Sequence, residues 1–174
     1  GKIARDTYKK HNKNGSKVFD NELDRDKSAG SNWGINMHRG SVVSTGVGGS
    51  ATGKGAHIAI IDDPFKNRED ANSKIQRDKV WSWYQSTIRT RLAPGGGIII
   101  IQTRWHDDDL VGRIIKEMQA GTGELFEAIV LPAISEENDI LGREPGEALW
   151  PERYSLKELE SIKKAIGERE FISL

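Results

Sequence analysis

The hydrophobic positions of this chain fall into segments of different period, and each period predicts a different element. Ile58, Ala59, Ile60 and Ile61 form an apolar run without alternation, the pattern of a strand buried on both faces of a parallel sheet. The run ends in Asp62 and Asp63, and Pro64 then bars a central strand from continuing. Residues 65–71 are polar. Ser73 and Gln76 make a capping box, and Val80, Tyr84, Ile88 and Leu92 follow at helical spacing, which predicts an amphipathic helix. Ala93-Pro94-Gly95-Gly96-Gly97 closes it. A second apolar run, Ile98-Ile99-Ile100-Ile101, leads into Gln102-Thr103-Arg104-Trp105-His106. Strand, helix and strand over about 45 residues is the length of a right-handed parallel crossover. Such a unit sets Asp62/Asp63 and Thr103/Arg104 side by side at one sheet edge, where open α/β sheets place their ligands.

The flanking segments are simpler. Apolar residues alternate over 33–37 and 41–45, with His38-Arg39-Gly40 as a turn, which predicts a β-hairpin. Asp107, Asp108 and Asp109 stand where they cap a helix with the face Leu110, Ile114 and Met118, closed by Gly121 or Gly123. Residues 126–134 are a third strand candidate. Ser155 and Glu158 form a capping box for a last helix with the face Leu156, Leu159, Ile162 and Ile166, ending at Gly167. Residues 1–17 are polar and basic, with Lys9, Lys10, His11, Lys13 and Lys17. They read as a tail or frayed helix, either touching DNA or simply solvated.

Composition narrows the class. With 174 residues the chain is one domain or a piece of a larger protein. Lys plus Arg and Asp plus Glu both number 26, so bulk charge argues neither for nor against a nucleic-acid partner. The absence of cysteine excludes disulfides, zinc ribbons and thiol catalysis, and suits a cytosolic protein. No apolar run approaches membrane-spanning length and no signal peptide is recognisable. The chain starts at Gly1 rather than Met and stops at Leu174 just after a new apolar segment begins. Both ends are expected to be cut.

The paired acids after one strand and the Thr-Arg after its neighbour suit phosphoryl transfer. One carboxylate holds Mg²⁺ and the second orients the attacking water, while Thr103 contacts the γ-phosphate or that water. The plainer reading is a strand that surfaces into a charged turn. The glycine-rich stretch from Gly46 to Gly55 contains Gly48, Gly53 and Lys54 in the spacing G-x-x-x-x-G-K, but Gly55 replaces the Mg²⁺-holding hydroxyl. It also leads into a strand, not into the helix amino end that a phosphate loop needs. It is not the nucleotide loop. The triple aspartate reads as capping, His57 and His106 as structural, and Trp81, Trp83 and Trp105 as core or interface.

Taken in order, GVGGSATGKGAHIAIIDDPFKNREDANS, WYQSTIRTRL, IIIIQTRWHDDDL, LPAI and ALWPERYS resemble the ATPase part of tailed-phage terminase large subunits, over residues 33–174. The resemblance implies a parallel phosphate-loop NTPase sheet of the additional-strand, RecA-like type, flanked by helices and lacking the strand and loop of Walker A. Residues 1–148 then correspond to the later part of the ATPase domain, and residues 149–174 to the start of a linker toward a nuclease domain. Asp62 matches the Walker B magnesium carboxylate and Asp63 the catalytic acid. Thr103 with Arg104 falls in the motif that couples hydrolysis to DNA movement. Lys54 resembles the arginine of an Arg-Gly that precedes the Walker B strand, a cation reaching the γ-phosphate of a neighbouring subunit; a solvated loop lysine is the alternative.

The resemblance further implies ATP and Mg²⁺ as cofactors and double-stranded DNA as the cargo. The implied partners are a small terminase subunit and the portal protein, in a homo-oligomeric ring on the procapsid in the bacterial host cytoplasm, with no membrane. Two departures are plain. Asp63 stands where many of these proteins have glutamate, and the phosphate loop is expected before residue 1, so this chain alone is expected to be inactive. A helicase-like or repair ATPase, and a DNA-binding or assembly module without hydrolysis, are the other readings of the same residues.

Overall fold

The computed structural model of the chain describes residues 5–6, 22–49 and 55–173. It is a mixed α/β structure in which a two-stranded parallel sheet is flanked by helices. The parallel pair is β4 (Ala56–Asp62) and β5 (Leu92–Ile101). Between them run α1 (Arg68–Asn72), α2 (Lys74–Trp83), a π-turn (Tyr84–Ile88) and a short 3₁₀ turn (Arg89–Arg91). Downstream lie α3 (Leu110–Gln119), α4 (Leu156–Ile166) and α5 (Glu168–Ile172). The strand-helix-strand unit therefore forms as its periodicity predicts. Its register pairs Ile58 with Gly97 and Asp62 with Ile101, with an irregularity between Ala56 and Ile58.

A separate antiparallel sheet is built from β1 (Leu23–Ala29), β2 (Asn32–Ile35) and β3 (Ser41–Val43), in that order. The β2–β3 hairpin is the predicted one, with Trp33 opposite Val42 and buried. Strand β1 has the sequence LDRDKSA, without clean alternation. It is a strand because β2 offers it an edge, so local pattern alone does not reveal it.

Helices cover one face of the parallel pair. Ile61, Phe65, Ala71, Val80, Trp83, Tyr84, Leu110 and Ile114 form the main buried cluster, with Ile98, Ile100, Trp81 and Trp105 packed against it. The other face is bare. Ile58 and Ile60 are 64% and 63% exposed, and Ile99 and Ile101 are 49% and 56% exposed. This corrects the expectation of strands buried on both faces: among the described residues, no layer lies across the second face. A smaller cluster of Ala148, Leu159 and Phe171, supported by Ala133, Ile134 and Ile162, gathers the chain's later part.

Three further expectations change. The polar residues 65–71 are not all loop, because Asn67 caps Asp70 N–H at 2.9 Å and starts α1. The helix opened by Ser73 does not stay α-helical to Leu92: after Trp83 it widens into the π-turn and tightens into the 3₁₀ turn, and Leu92 already pairs with Ala56. Residues 126–134 do not form a strand. Only Ile134 makes a bridge, to Ala148, and Ile129 and Val130 are 62% and 73% exposed with no strand beside them. An apolar run becomes a strand only when it finds an edge to pair with. The basic 1–17 cluster falls largely outside the described residues.

The predicted caps of α3 and α4 hold, but the expected face of α4 is only half realised: Leu159 is buried and Ile162 packs beside it, whereas Leu156 and Ile166 are both exposed. Asp109 caps α3 at Gly112 N–H (2.9 Å), and Gly121 follows the helix with φ of 67°. Ser155 and Glu158 form the reciprocal capping box of α4, and Gly167 ends it.

Candidate functional site

Strand β4 delivers Asp62 and Asp63 to the carboxyl edge of the sheet, and β5 delivers Thr103 beside them. The ladder ends in an unusual way. Asp63 N–H donates to the Ile101 carbonyl at 2.9 Å, as a parallel ladder requires. The next bond of such a ladder sends Thr103 N–H to the Asp63 carbonyl. Here Asp63 instead turns into the left-handed region, with φ of 40°. Its carboxylate takes over, and Oδ1 accepts from Thr103 N–H at 3.1 Å. Aspartate visits this region more readily than most residues because its short side chain bonds locally. The backbone turn and the carboxylate contact are thus one arrangement.

The Asp62 carboxylate is exposed and makes no hydrogen bond or ion pair among the described residues. Its free carboxylate, one residue from the Asp63–Thr103 junction, fits a Mg²⁺ held by one carboxylate together with substrate phosphates and water. The described residues contain no group of three or more acidic or histidine side chains able to cage a metal without such help.

The Arg104 guanidinium is engaged by Asp109. Its Nε donates to Asp109 Oδ2 at 3.0 Å, and Asp109 is fully buried. The same carboxylate accepts His106 N–H at 3.5 Å and caps α3. Asp109 therefore staples the 104–109 loop to the helix that follows. Gly112 is required for this fit, because a Cβ there collides with the Asp107 carbonyl. His106 accepts Asp108 N–H through Nδ1 at 2.9 Å, a structural contact. Lys54 lies outside the described residues.

Asp108, read in sequence only as a cap, is the centre of a charge cluster joining α2 to α3. It receives Arg113 Nη2 at 2.7 Å and Arg77 Nε at 3.2 Å, with Lys116 Nζ at 3.7 Å. The Arg113 guanidinium above all, then Arg77, holds the Asp108 carboxyl well below the usual carboxylate range, against the opposing effect of partial burial. Arg77 also donates to the Ala71 and Asn72 carbonyls at 2.7 and 2.8 Å, closing the end of α1. Arg68, at the start of α1, carries no sequence signal either. Its guanidinium lies 5.1 Å from the Trp105 ring centroid. No motif signals Arg77 or Arg68, because the side-chain partners that define them, Asp108 and Ser173, lie 31 and 105 residues away.

A family model described as "Terminase large subunit, T4likevirus-type, N-terminal" matches residues 1–165. The chain belongs to the terminase large-subunit family. Membership suggests a role for this terminase chain in phage DNA packaging. A comparison with curated proteins returned no match. None of the helices among the described residues of the terminase chain is long and apolar enough to cross a membrane.

Proposed function

We propose that this terminase chain is the Walker B and coupling part of a DNA-packaging ATPase, within a phosphate-loop NTPase sheet of the additional-strand type. Residues 1–148 belong to the ATPase domain and residues 149–174 begin the linker toward a nuclease domain. The observation that carries the reading is the Asp63–Thr103 bond (3.1 Å), with the unpaired Asp62 carboxylate beside it at the carboxyl edge of two parallel strands. In this reading Asp62 would hold Mg²⁺, which would supply positive charge to the phosphates. Asp63 keeps Oδ1 on the Thr103 amide and turns Oδ2 toward the attacking water, whose proton it accepts. Thr103, tied to Asp63 through its own backbone, passes any shift of that carboxylate into the stapled 104–109 loop and α3. Arg104 contributes through this loop, since its guanidinium is engaged by Asp109.

The cargo is double-stranded DNA, and the partners are a small terminase subunit and the portal protein, in a ring of like subunits on the procapsid in the host cytoplasm. Lys54 is assigned to reach a neighbouring subunit's γ-phosphate. Mixed rings test it: Lys54→Ala subunits recover turnover when mixed with subunits that keep Lys54 but lack a working phosphate loop, and absence of rescue removes the assignment. The central experiment is ATP turnover by the intact large subunit. Asp62→Asn abolishes turnover and weakens Mg²⁺-dependent nucleotide binding. Unchanged turnover in that variant overturns the reading.

A further inference from the structure

Arg68 occupies a position that neither the strand ends nor the family match accounts for. It is the first residue of α1, a few residues beyond Asp62 and Asp63. Its side chain is 19% exposed, and it spans three parts of the chain. Its guanidinium covers the Trp105 ring at 5.1 Å, two residues after Thr103. Its Nε lies 2.6 Å from Glu170 Oε1 on α5, an ion pair without well-directed hydrogen-bond geometry. Its Nη2 donates to Ser173 Oγ at 3.0 Å and to the Arg169 carbonyl at 3.5 Å. Trp105 in turn packs on the main buried cluster, while Phe171 of α5 belongs to the smaller one. Both clusters and the carboxyl edge of the sheet therefore meet at one planar cation.

The chemistry selects arginine. Only a guanidinium offers a flat face to an indole while its edge serves a carboxylate, a hydroxyl and a carbonyl on the other side. A displacement of α5 moves Glu170 and Ser173, and Arg68 cannot follow them without leaving Trp105. Trp105 and His106 share the loop that begins at Thr103, whose amide is bound by Asp63.

We propose that Arg68 is a positioning residue for the Asp63–Thr103 junction, through which α5 sets the placement of the Thr103–His106 loop. The catalytic side of this inference rests on the ATPase reading, whereas the mechanical link from α5 to the loop does not. Movement of α5 is thereby felt at the strand ends, and a change at the strand ends is felt at α5, since coupling is reciprocal.

The test uses the intact large subunit and amide hydrogen exchange, read at Thr103 and His106 and at residues 168–172. Glu170→Gln, on α5, is expected to raise exchange at Thr103 and His106 by about 5-fold or more, the lower range of coupling between sites. In an Arg68→Lys background, which keeps the charge but loses the flat fork, the same Glu170→Gln change adds nothing at Thr103 and His106. If Glu170→Gln alters residues 168–172 only, or acts equally in both backgrounds, the proposal is overturned. A kinetic arm separates it from the ATPase reading. Arg68→Lys is expected to lower kcat for ATP several-fold with KM unchanged, and a raised KM with unchanged kcat contradicts a positioning role. A wild-type subunit without ATP turnover refutes the ATPase reading and with it the catalytic role, while the exchange data still decide the mechanical link.

Discussion

The Asp63 carboxylate accepts the Thr103 amide at 3.1 Å, standing in for the backbone carbonyl that a continued parallel ladder presents. The side chain thereby combines a structural duty with the open acceptor atom that its proposed chemistry needs. The two duties separate by substitution. Asp63→Asn keeps an oxygen acceptor and tolerates φ of 40°, so thermal stability is expected to change by less than about 0.5 kcal/mol. Turnover of the intact subunit falls by about 10²- to 10⁴-fold, because the charge that takes the water's proton is gone. Asp63→Ala loses the acceptor as well and faces left-handed strain, costing about 1–2 kcal/mol more. Equal unfolding midpoints for the Asn and Ala variants contradict the structural half of this account.

The Asp108 cluster predicts a pH dependence. Its carboxyl titrates below the ordinary value of 3.8 in the folded chain, chiefly because Arg113 donates to it. The depressed value means stability is fully present above the unfolded carboxylate range and is lost as pH falls through the folded value. Denaturant midpoints should therefore drop progressively as pH falls below about 4. Asp108→Asn should flatten that fall, and should also cost about 1–3 kcal/mol at pH 7 by leaving Arg77 and Arg113 without their shared anion. A wild-type profile no steeper than that of Asp108→Asn contradicts the assignment.

Gly112 is expected to reject even alanine. Its Cβ direction is filled by the Asp107 carbonyl, and Arg104 Nη2 is 3.0 Å away. Gly112→Ala must shift the loop that Asp109 holds, at a cost of about 2 kcal/mol or more, although alanine normally favours a helix. A stabilised Gly112→Ala variant, measured by thermal unfolding, contradicts the stapled geometry.

The bare isoleucines predict behaviour in solution. Ile58, Ile60, Ile99 and Ile101 make a contiguous exposed apolar face on the parallel pair. Patches of this kind drive association. Residues 1–174 expressed alone should self-associate as concentration rises in sedimentation runs, and the Ile60→Lys, Ile99→Lys pair should restore a monomer. A monomeric wild-type chain at high concentration rules this out.

The sequence was most readable where local rules act alone. Ser73, Asp109 and Ser155 cap helices as their spacing predicts, and the two isoleucine runs pair in parallel around an intervening helix. It was least readable where a distant partner decides. Residues 129–131 have a strand's composition but no neighbouring edge, and β1 has an edge but no strand-like pattern. Of the site, Asp62, Asp63 and Thr103 were legible as residues at strand ends. The exchange of a carbonyl for a carboxylate at Asp63 was not, because it arises from one backbone angle. Arg104 was legible as a charge, whereas its turn toward Asp109 depends on the buried helix cap.

The division of the interior into two clusters has a consequence for how the chain opens. The cluster of Ala148, Leu159 and Phe171 is much smaller than the one around Leu110 and Val80, and the contacts from Arg68 to Glu170 and Ser173 join the elements that carry them. Cooperative units of unequal burial unfold at unequal free energies. Residues 133–173 are therefore expected to detach in a subglobal event while β4, α2, β5 and α3 stay folded. Native-state exchange along the chain divides into two plateaus, with the break falling between α3 and Ala133.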